Sequence, residues 1–369
     1  MSKFAPTIAE TVLCASDAQD LANHAGAAEA SGFLHPVQGA LIHRRAWLKM
    51  LAPRACGGAE LALPEVVRLE EQLASIDGST AWVVTLCAGA AWFAGFLAPG
   101  LAEEIIGTPG LCIAGSGGPT GFADVDGEGY RLSGQWDYAS GAPMATHFTL
   151  NAVLREHGKV LTDSAGAPRI RAFILPADQV ELVPSWKTVG LVATASHSYR
   201  IGTQWVAHAQ AFDIDAACAT ATGPLYRFPF LGLAFVTLTA NLAGMASHFL
   251  RLARPLIEQR RHARSGLALR DCPQVMEQLL GIETAMANVR AHFYTQLDAA
   301  WAVVVEGMQV SEEQATDLQS ASLALANFSR RAVDELYPVC GLQAAREGTD
   351  INRVWRDIHT ATQHSLFLP

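Results

Sequence analysis

Two stretches without a formal charge bracket a middle region of different rhythm. Thr80 to Ala102 and Phe228 to Leu250 run almost wholly on apolar and small side chains. By length alone either could cross a bilayer. However, Gly89, Gly95, Pro99 and Gly100 interrupt the first, and Pro229, Thr237, Thr239, Asn241, Ser247 and His248 the second. This pattern predicts helices buried inside a bundle or a subunit interface.

Residues 1–110 read as helical. Thr7 to Ala30 is rich in Ala, Leu, Asp and Glu, and His43 to Leu51 forms a short amphipathic piece that PRACGG then breaks. Pro64 sits where a helix can begin, with Val66, Val67, Leu69, Leu73 and Ile76 at helical spacing, and Asp77-Gly78-Ser79 is expected to close it. From Leu111 the runs become short and β-rich: LCIAG, GYRLSGQWDYASG, THFTLNAVL, IRAFILP, VELVPSW and SYRIGTQWVA, with REHGKVLTDSAGAPR as a polar hairpin tip or loop. They predict a small sandwich or barrel over 111–218. The last part, 219–369, reads as a four-helix bundle: Pro229 to Arg260, Pro273 to Trp301, Ser311 to Leu336 and Asp350 to Phe367. Ser311 before Glu312, Glu313 and Gln314 has the form of an N-cap, and Pro338 and Gly341 are expected to separate the last two helices. The fold class is α+β: an N-terminal helical domain, a small central β-domain and a C-terminal helical bundle.

Composition narrows the function classes. Hydrophobic residues make up 50% and charged residues 17%, which suggests buried oligomer contacts; a homotetramer or dimer is expected for the fold. The net charge is -9 with no basic run, so neither nucleic acid nor an anionic membrane is an expected partner. Seven scattered cysteines without a CxxC point to free thiols in the cytoplasm, and no signal-peptide h-region is visible. No metal is expected, since His359 and His364 are spaced poorly for joint ligation on a helix.

Two stretches carry candidate chemistry. In GEGYRLSGQWDYASG, read as two strand segments broken at Ser133-Gly134, Trp136, Tyr138 and Ser140 alternate at period two. On one face they could meet a flat aromatic ligand, with Gly141 allowing close approach; the same spacing also fits an aromatic face packed into a core. In the last segment, Arg353, Asp357, Thr360 and His364 fall on one helical stripe, and a histidine there suits acid or base work. An exposed face with an Arg–Asp pair of little energetic worth fits as well. His147, His197, Glu258 and the GSGG loop at 115–118 are weaker candidates.

Several motifs in order resemble the acyl-CoA dehydrogenase superfamily of flavoproteins: LAPRACGGAELALPEVVRLEEQLASIDGSTAWVV, SWKTVGLVATASHSYRI and NRVWRDIHTATQHSLF. GPTGFADVDGEGYRLSGQWDYASG is similar to the flavin-facing segment of the flavin-dependent hydroxylases of that superfamily, the group D two-component monooxygenases. The resemblance implies FAD or FMN, supplied reduced by a partner flavin reductase, and a C4a-hydroperoxide that hydroxylates a small organic or aromatic substrate. It implies that Ser140 lies by the flavin N5 and that His364 assists hydroxylation. Trp136, Tyr138, Ala139, Ser140, Trp186, Arg264 and Arg356 become cofactor contacts, and Ser79, Trp82 and Phe93 walls of the substrate pocket. Two alternatives follow from departures. An FAD-dependent acyl-CoA dehydrogenase would need a glutamate base, but no acid follows Asp357 and Glu258 is the only acid near the other family position. A non-catalytic flavin-fold binding subunit fits LYPVCGLQ and RHARSG, which stand where the family's flavin-binding motifs are fuller.

Overall fold

The computed structural model describes residues 11–368. Helices α1 (Ala15–Ser31), α2 (Pro36–Arg44), α3 (Leu63–Ala74), α4 (Gly78–Trp92) and α5 (Pro99–Ile106) come first. Of the helix predicted over Thr7 to Ala30, residues 7–10 lie outside the described residues, Thr11 is helical, and after a break at 12–14 α1 carries the chain from Ala15 to Ser31. The piece predicted over His43–Leu51 is instead the end of α2 followed by a 3-10 turn at Trp47–Lys49. Asp77 does not close a helix but opens one. Its carboxylate accepts the Thr80 N–H at 3.0 Å as the N-cap of α4, the role for which a short acidic side chain is suited.

Nine strands follow: β1 (Ile113–Gly115), β2 (Gly121–Asp126), β3 (Gly129–Ala139), β4 (His147–Glu156), β5 (Lys159–Val160), β6 (Ile170–Pro176), β7 (Glu181–Val183), β8 (His197–Ala207) and β9 (Ala211–Phe212). They form one sheet in the order β7-β8-β3-β2-β4-β6-β9, with β1 and β5 both on β4. The sheet curls over its own core. Tyr130 of β3 meets Phe173 of β6 edge to face at 5.2 Å, although β2 and β4 lie between them in hydrogen-bond order.

The chain then returns to helix as α6 (Phe230–Gln259), α7 (Pro273–Val305), α8 (Glu312–Cys340), the short α9 (Leu342–Ala345) and α10 (Asp350–Ala361). Ser311 caps α8 as expected, exchanging hydrogen bonds with Gln314 at 3.2 and 3.0 Å. Pro338 does not end α8. The helix runs on to Cys340, because Arg260 donates to the Pro338 and Val339 carbonyls at 3.2 and 2.7 Å and satisfies its last turn. The two uncharged stretches become α4 with its 3-10 extension and α6, and most of their apolar length is buried. Close approach of α6 to α3 depends on Gly244, where a Cβ would stand 2.3 Å from the Glu71 carbonyl oxygen.

Candidate functional site

The second half of β3 departs from simple alternation. Its pairing with β8 slips between Trp136 and Ala139, and Tyr138 sits there in the left-handed region at φ 70°. The bulge corrects the predicted common face. Trp136 is fully buried in the β-core, stacked on Tyr199 at 5.6 Å, with its indole N–H donated to the Asn151 carbonyl. It offers no surface to a ligand. Tyr138 is thrown outward, 72% exposed, with its ring edge-on to Trp186 at 6.3 Å. Ala139 is buried opposite His197, and Ser140 points inward beyond the strand end. Strained backbone of this kind gathers at ligand sites.

Ser140 is held from several sides. Its hydroxyl lies 2.8 Å from the Ser196 hydroxyl, which lies 2.7 Å from that of Thr194. The Gly141 N–H donates to the Thr194 carbonyl at 2.8 Å. Gly141 adopts φ 76°, where a Cβ would stand 3.1 Å from both Val83 and Cys87 of α4. Beside this run, Phe33, Leu34, Gly141, Pro143, Met144 and Thr194 line an apolar cavity of about 310 Å³ between the helical part and the sheet.

The loop carrying Trp186, Thr194 and Ser196 is fastened at both ends. His197 Nδ1 accepts the Ser185 and Trp186 N–H groups at 3.2 and 3.1 Å, so this histidine is a structural one. The Trp186 indole donates to the Leu191 carbonyl at 2.9 Å. From the other side, the buried Asp357 carboxylate of α10 accepts the Leu191 N–H at 2.6 Å, and Arg356 donates to the Val189 carbonyl at 2.6 Å. Gly190 packs so closely on α10 that a Cβ would stand 2.0 Å from the Arg356 carbonyl oxygen. Burial pushes Asp357 up to about 7; Asp77 and Glu29 add to the rise, while the Leu191 N–H and Arg353 oppose it.

The predicted stripe on the last helix holds only in part. Arg353, Asp357 and Thr360 belong to α10, but α10 ends at Ala361. His364 lies beyond it, where its Nδ1 accepts the Leu366 N–H at 3.3 Å and starts a 3-10 turn, Ser365–Phe367. Its ring is half-buried and meets the edge of Trp82 at 6.1 Å. Burial lowers its pKa below 6.5, so the ring is neutral at pH 7. With Nδ1 accepting, the ring proton belongs on Nε2, which makes this histidine a donor.

Not every predicted residue joins this cleft. Ser79 and Trp82 are buried on α4, and Gly78 before them packs on Asp357. Phe93 lies at the far end of α4, among Trp92, Phe212 and Phe230. Eleven residues of helix separate it from Trp82, about 16 Å. Arg356 does not face open space, because Glu29 at 2.5 Å, Asn352 and Val189 take its donors. Arg264 is exposed in the connection between α6 and α7, and shares no hydrogen bond, ion pair or ring contact with the cleft residues. Glu258 pairs with Arg254 at 3.1 Å and is no base for this cleft. His147 bonds to Thr146, and His359 turns to Asp334 on α8. Thr194 and Ser196 are the residues that sequence reasoning missed; the only signal is the run of small and hydroxyl side chains in ATASHS.

A flat heteroaromatic cofactor needs exposed ring surface, a hydrogen-bonding group at its edge and shelter from water. Tyr138 supplies the first and Ser140 the second, and the buried neighbours of Ser140 supply the third, so the residues present fit a flavin ring.

Residues 236–369 match the family described as acyl-CoA dehydrogenase, C-terminal domain. The chain is 28% identical to a pigment production hydroxylase of Rhodococcus erythropolis, covering 87% of this chain and 83% of the relative. It is 24% identical to the flavin-dependent monooxygenase, oxygenase subunit HsaA, of Mycobacterium tuberculosis, covering 86% and 81%. The fold is shared with XiaF from Streptomyces sp., solved with FADH2 and glycerol: TM-score 0.87, 20% identity, covering 95% of this chain and 89% of the other.

Proposed function

We propose that this chain, which belongs to the acyl-CoA dehydrogenase superfamily, is the oxygenase component of a two-component flavin-dependent monooxygenase that hydroxylates a small aromatic substrate. The observation that carries the reading is the exposed Tyr138 ring set beside the sheltered Ser140 hydroxyl. Reduced FAD or FMN, delivered by a partner flavin reductase, would supply the electrons that activate dioxygen. Tyr138 and Trp186 would bound the ring, and Ser140 would meet its edge. Trp82 shelters His364, whose neutral imidazole presents its Nε2 proton as a donor to a substrate hydroxyl or an oxygen atom. Glu258, the candidate dehydrogenase base, is paired with Arg254, and the buried Asp357 is fastened to Leu191.

We also place the protein in the cytoplasm as a homo-oligomer, a tetramer or dimer. Seven free thiols support the first. Exposed apolar side chains on the bundle and its connections, Leu342 at 89%, Leu267 at 60% and Leu280 at 51%, support the second.

The test supplies a panel of simple phenols, NADH, a flavin reductase and isotopically labelled dioxygen. Incorporation of one labelled oxygen atom into a phenol is expected, and His364→Ala should lower turnover about 100-fold. The rate should fall as pH drops below 6.5 and the ring of His364 takes up a second proton. The dehydrogenase reading replaces this one if no phenol gains oxygen and an acyl-CoA thioester bleaches oxidised FAD on the protein. If the protein binds no flavin in either redox state, the non-catalytic reading replaces both.

A further inference from the structure

Three hydroxyls form a chain whose direction is fixed at one end. Thr194 Oγ1 lies 2.8 Å from the Leu191 carbonyl oxygen, which can only accept, so the single Thr194 proton is committed there. Ser196 Oγ, 2.7 Å from Thr194 Oγ1, must therefore donate to it. Ser140 Oγ, 2.8 Å from Ser196 Oγ, must in turn donate to Ser196. All three residues are buried, with 4% exposure for Ser140, 0% for Thr194 and 3% for Ser196, so no solvent competes for these protons. The Leu191 end is anchored by Asp357 on its N–H and by Trp186 on its carbonyl. Reversing the chain would leave lone pairs facing each other across the 2.8 Å between Thr194 and Leu191.

It follows that Ser140 Oγ has only lone pairs left to offer any further partner. We propose that Thr194 and Ser196 are positioning residues that fix Ser140 as a hydrogen-bond acceptor, so that the site selects reduced over oxidised flavin. The inference rests on the flavin reading above. Two-electron reduction of the isoalloxazine ring places a hydrogen on N5, which is a bare acceptor in the oxidised ring. An acceptor-only Ser140 gains a hydrogen bond from the reduced ring and meets lone pair with lone pair in the oxidised one. The hydroxyl of Ser140 alone would not discriminate, since a free hydroxyl rotates to suit either partner. Discrimination comes from residues that need not touch the cofactor.

The test is anaerobic titration of the full-length protein with FMN and with FAD, each reduced and oxidised, to give a dissociation constant for each form. Wild type is expected to prefer the reduced form at least tenfold. Thr194→Val keeps the shape and removes the acceptor for Ser196, so the Ser140 proton is released. The preference should then fall about three- to tenfold, mainly through tighter binding of oxidised flavin. Ser196→Ala should change it in the same direction, and circular dichroism reports whether each variant folds. If both variants fold and bind both forms with the wild-type preference, the inference is overturned while the flavin reading stands. If wild type binds neither form, the flavin reading fails and takes the inference with it.

Discussion

Asp357 and Glu70 are both fully buried carboxylic acids on helices, and their surroundings treat them in opposite ways. Asp357, on α10, has a backbone N–H at 2.6 Å and Arg353 beside it, and it fastens the loop that carries the hydroxyl chain. Glu70, on α3, lies inside the helical part, where neither oxygen has a hydrogen-bond partner of good geometry among the described residues. Only the Thr85 hydroxyl is near enough to oppose the effect of burial, which pushes Glu70 far above the usual carboxylate range. Both acids are raised, but only the first is built into contacts between distant parts of the chain. Burial alone does not mark a functional carboxylate; what its oxygens touch does.

The largest effects should come from breaking the Asp357 contact. Asp357→Ala leaves the Leu191 N–H buried without an acceptor, at a cost of about 3 kcal/mol in denaturant unfolding. Gly190→Ala attacks the same junction through sterics alone, because the added Cβ meets backbone atoms of Arg356 that cannot swing away. It should cost about 2 kcal/mol. Asp357→Asn keeps an acceptor for Leu191 and should cost about 1 kcal/mol or less. It also sharpens the pH argument. A folded pKa raised from 3.8 to about 7 gives stability that is complete below 3.8 and lost as pH rises through about 7. The Asn variant should lack that loss, seen as a flatter curve of unfolding free energy between pH 4 and 8.

Glu70 should behave differently when neutralised. Its pKa is also raised in the folded state, so its contribution is complete below 4.5 and declines as pH rises. Glu70→Gln removes an ionisable group without removing any bond to the loop. The variant should match or exceed wild type by about 1 kcal/mol above neutrality, with flavin binding unchanged. Weaker flavin binding in Glu70→Gln would mean that the helical interior takes part in the site and would erase the contrast with Asp357.

The sequence made some of this legible and hid the rest for identifiable reasons. Helix positions could be read where a local signal set them: the Ser311 cap, and the uncharged runs that became α4 and α6. The Asp77 cap was misassigned because an Asp-Gly-Ser run fits a helix end as well as a start. Trp136 and Tyr138 could not be separated by period two, since one bulge rotates everything beyond it. Ser140 and His364 were visible as residues, but not the geometry that fixes their protons. The Ser140 hydroxyl chain joins residues 56 apart in sequence, and the Asp357 bond joins residues 166 apart. Spacing within an element carries no information about such contacts.

The smallest effect belongs to an ion pair that has neither burial nor a structural load. Arg131 Nε lies 2.8 Å from Asp126 across the β2–β3 hairpin, with the two side chains 58% and 41% exposed. Its distance compares with that of Asp357 to Leu191, so geometry alone would rank the two together. Water screens the exposed pair, and holding two long side chains in place offsets much of the attraction. Arg131→Ala should therefore change unfolding free energy by under about 0.5 kcal/mol and leave flavin selectivity untouched. A loss near that of Asp357→Ala would show that contact distance, not burial and connectivity, sets the energetic ranking in this fold. A loss within the expected range assigns the difference to what lies behind the contact: at Asp357 a loop whose two ordered hydroxyls hold that of Ser140, at Arg131 only the strand it sits on.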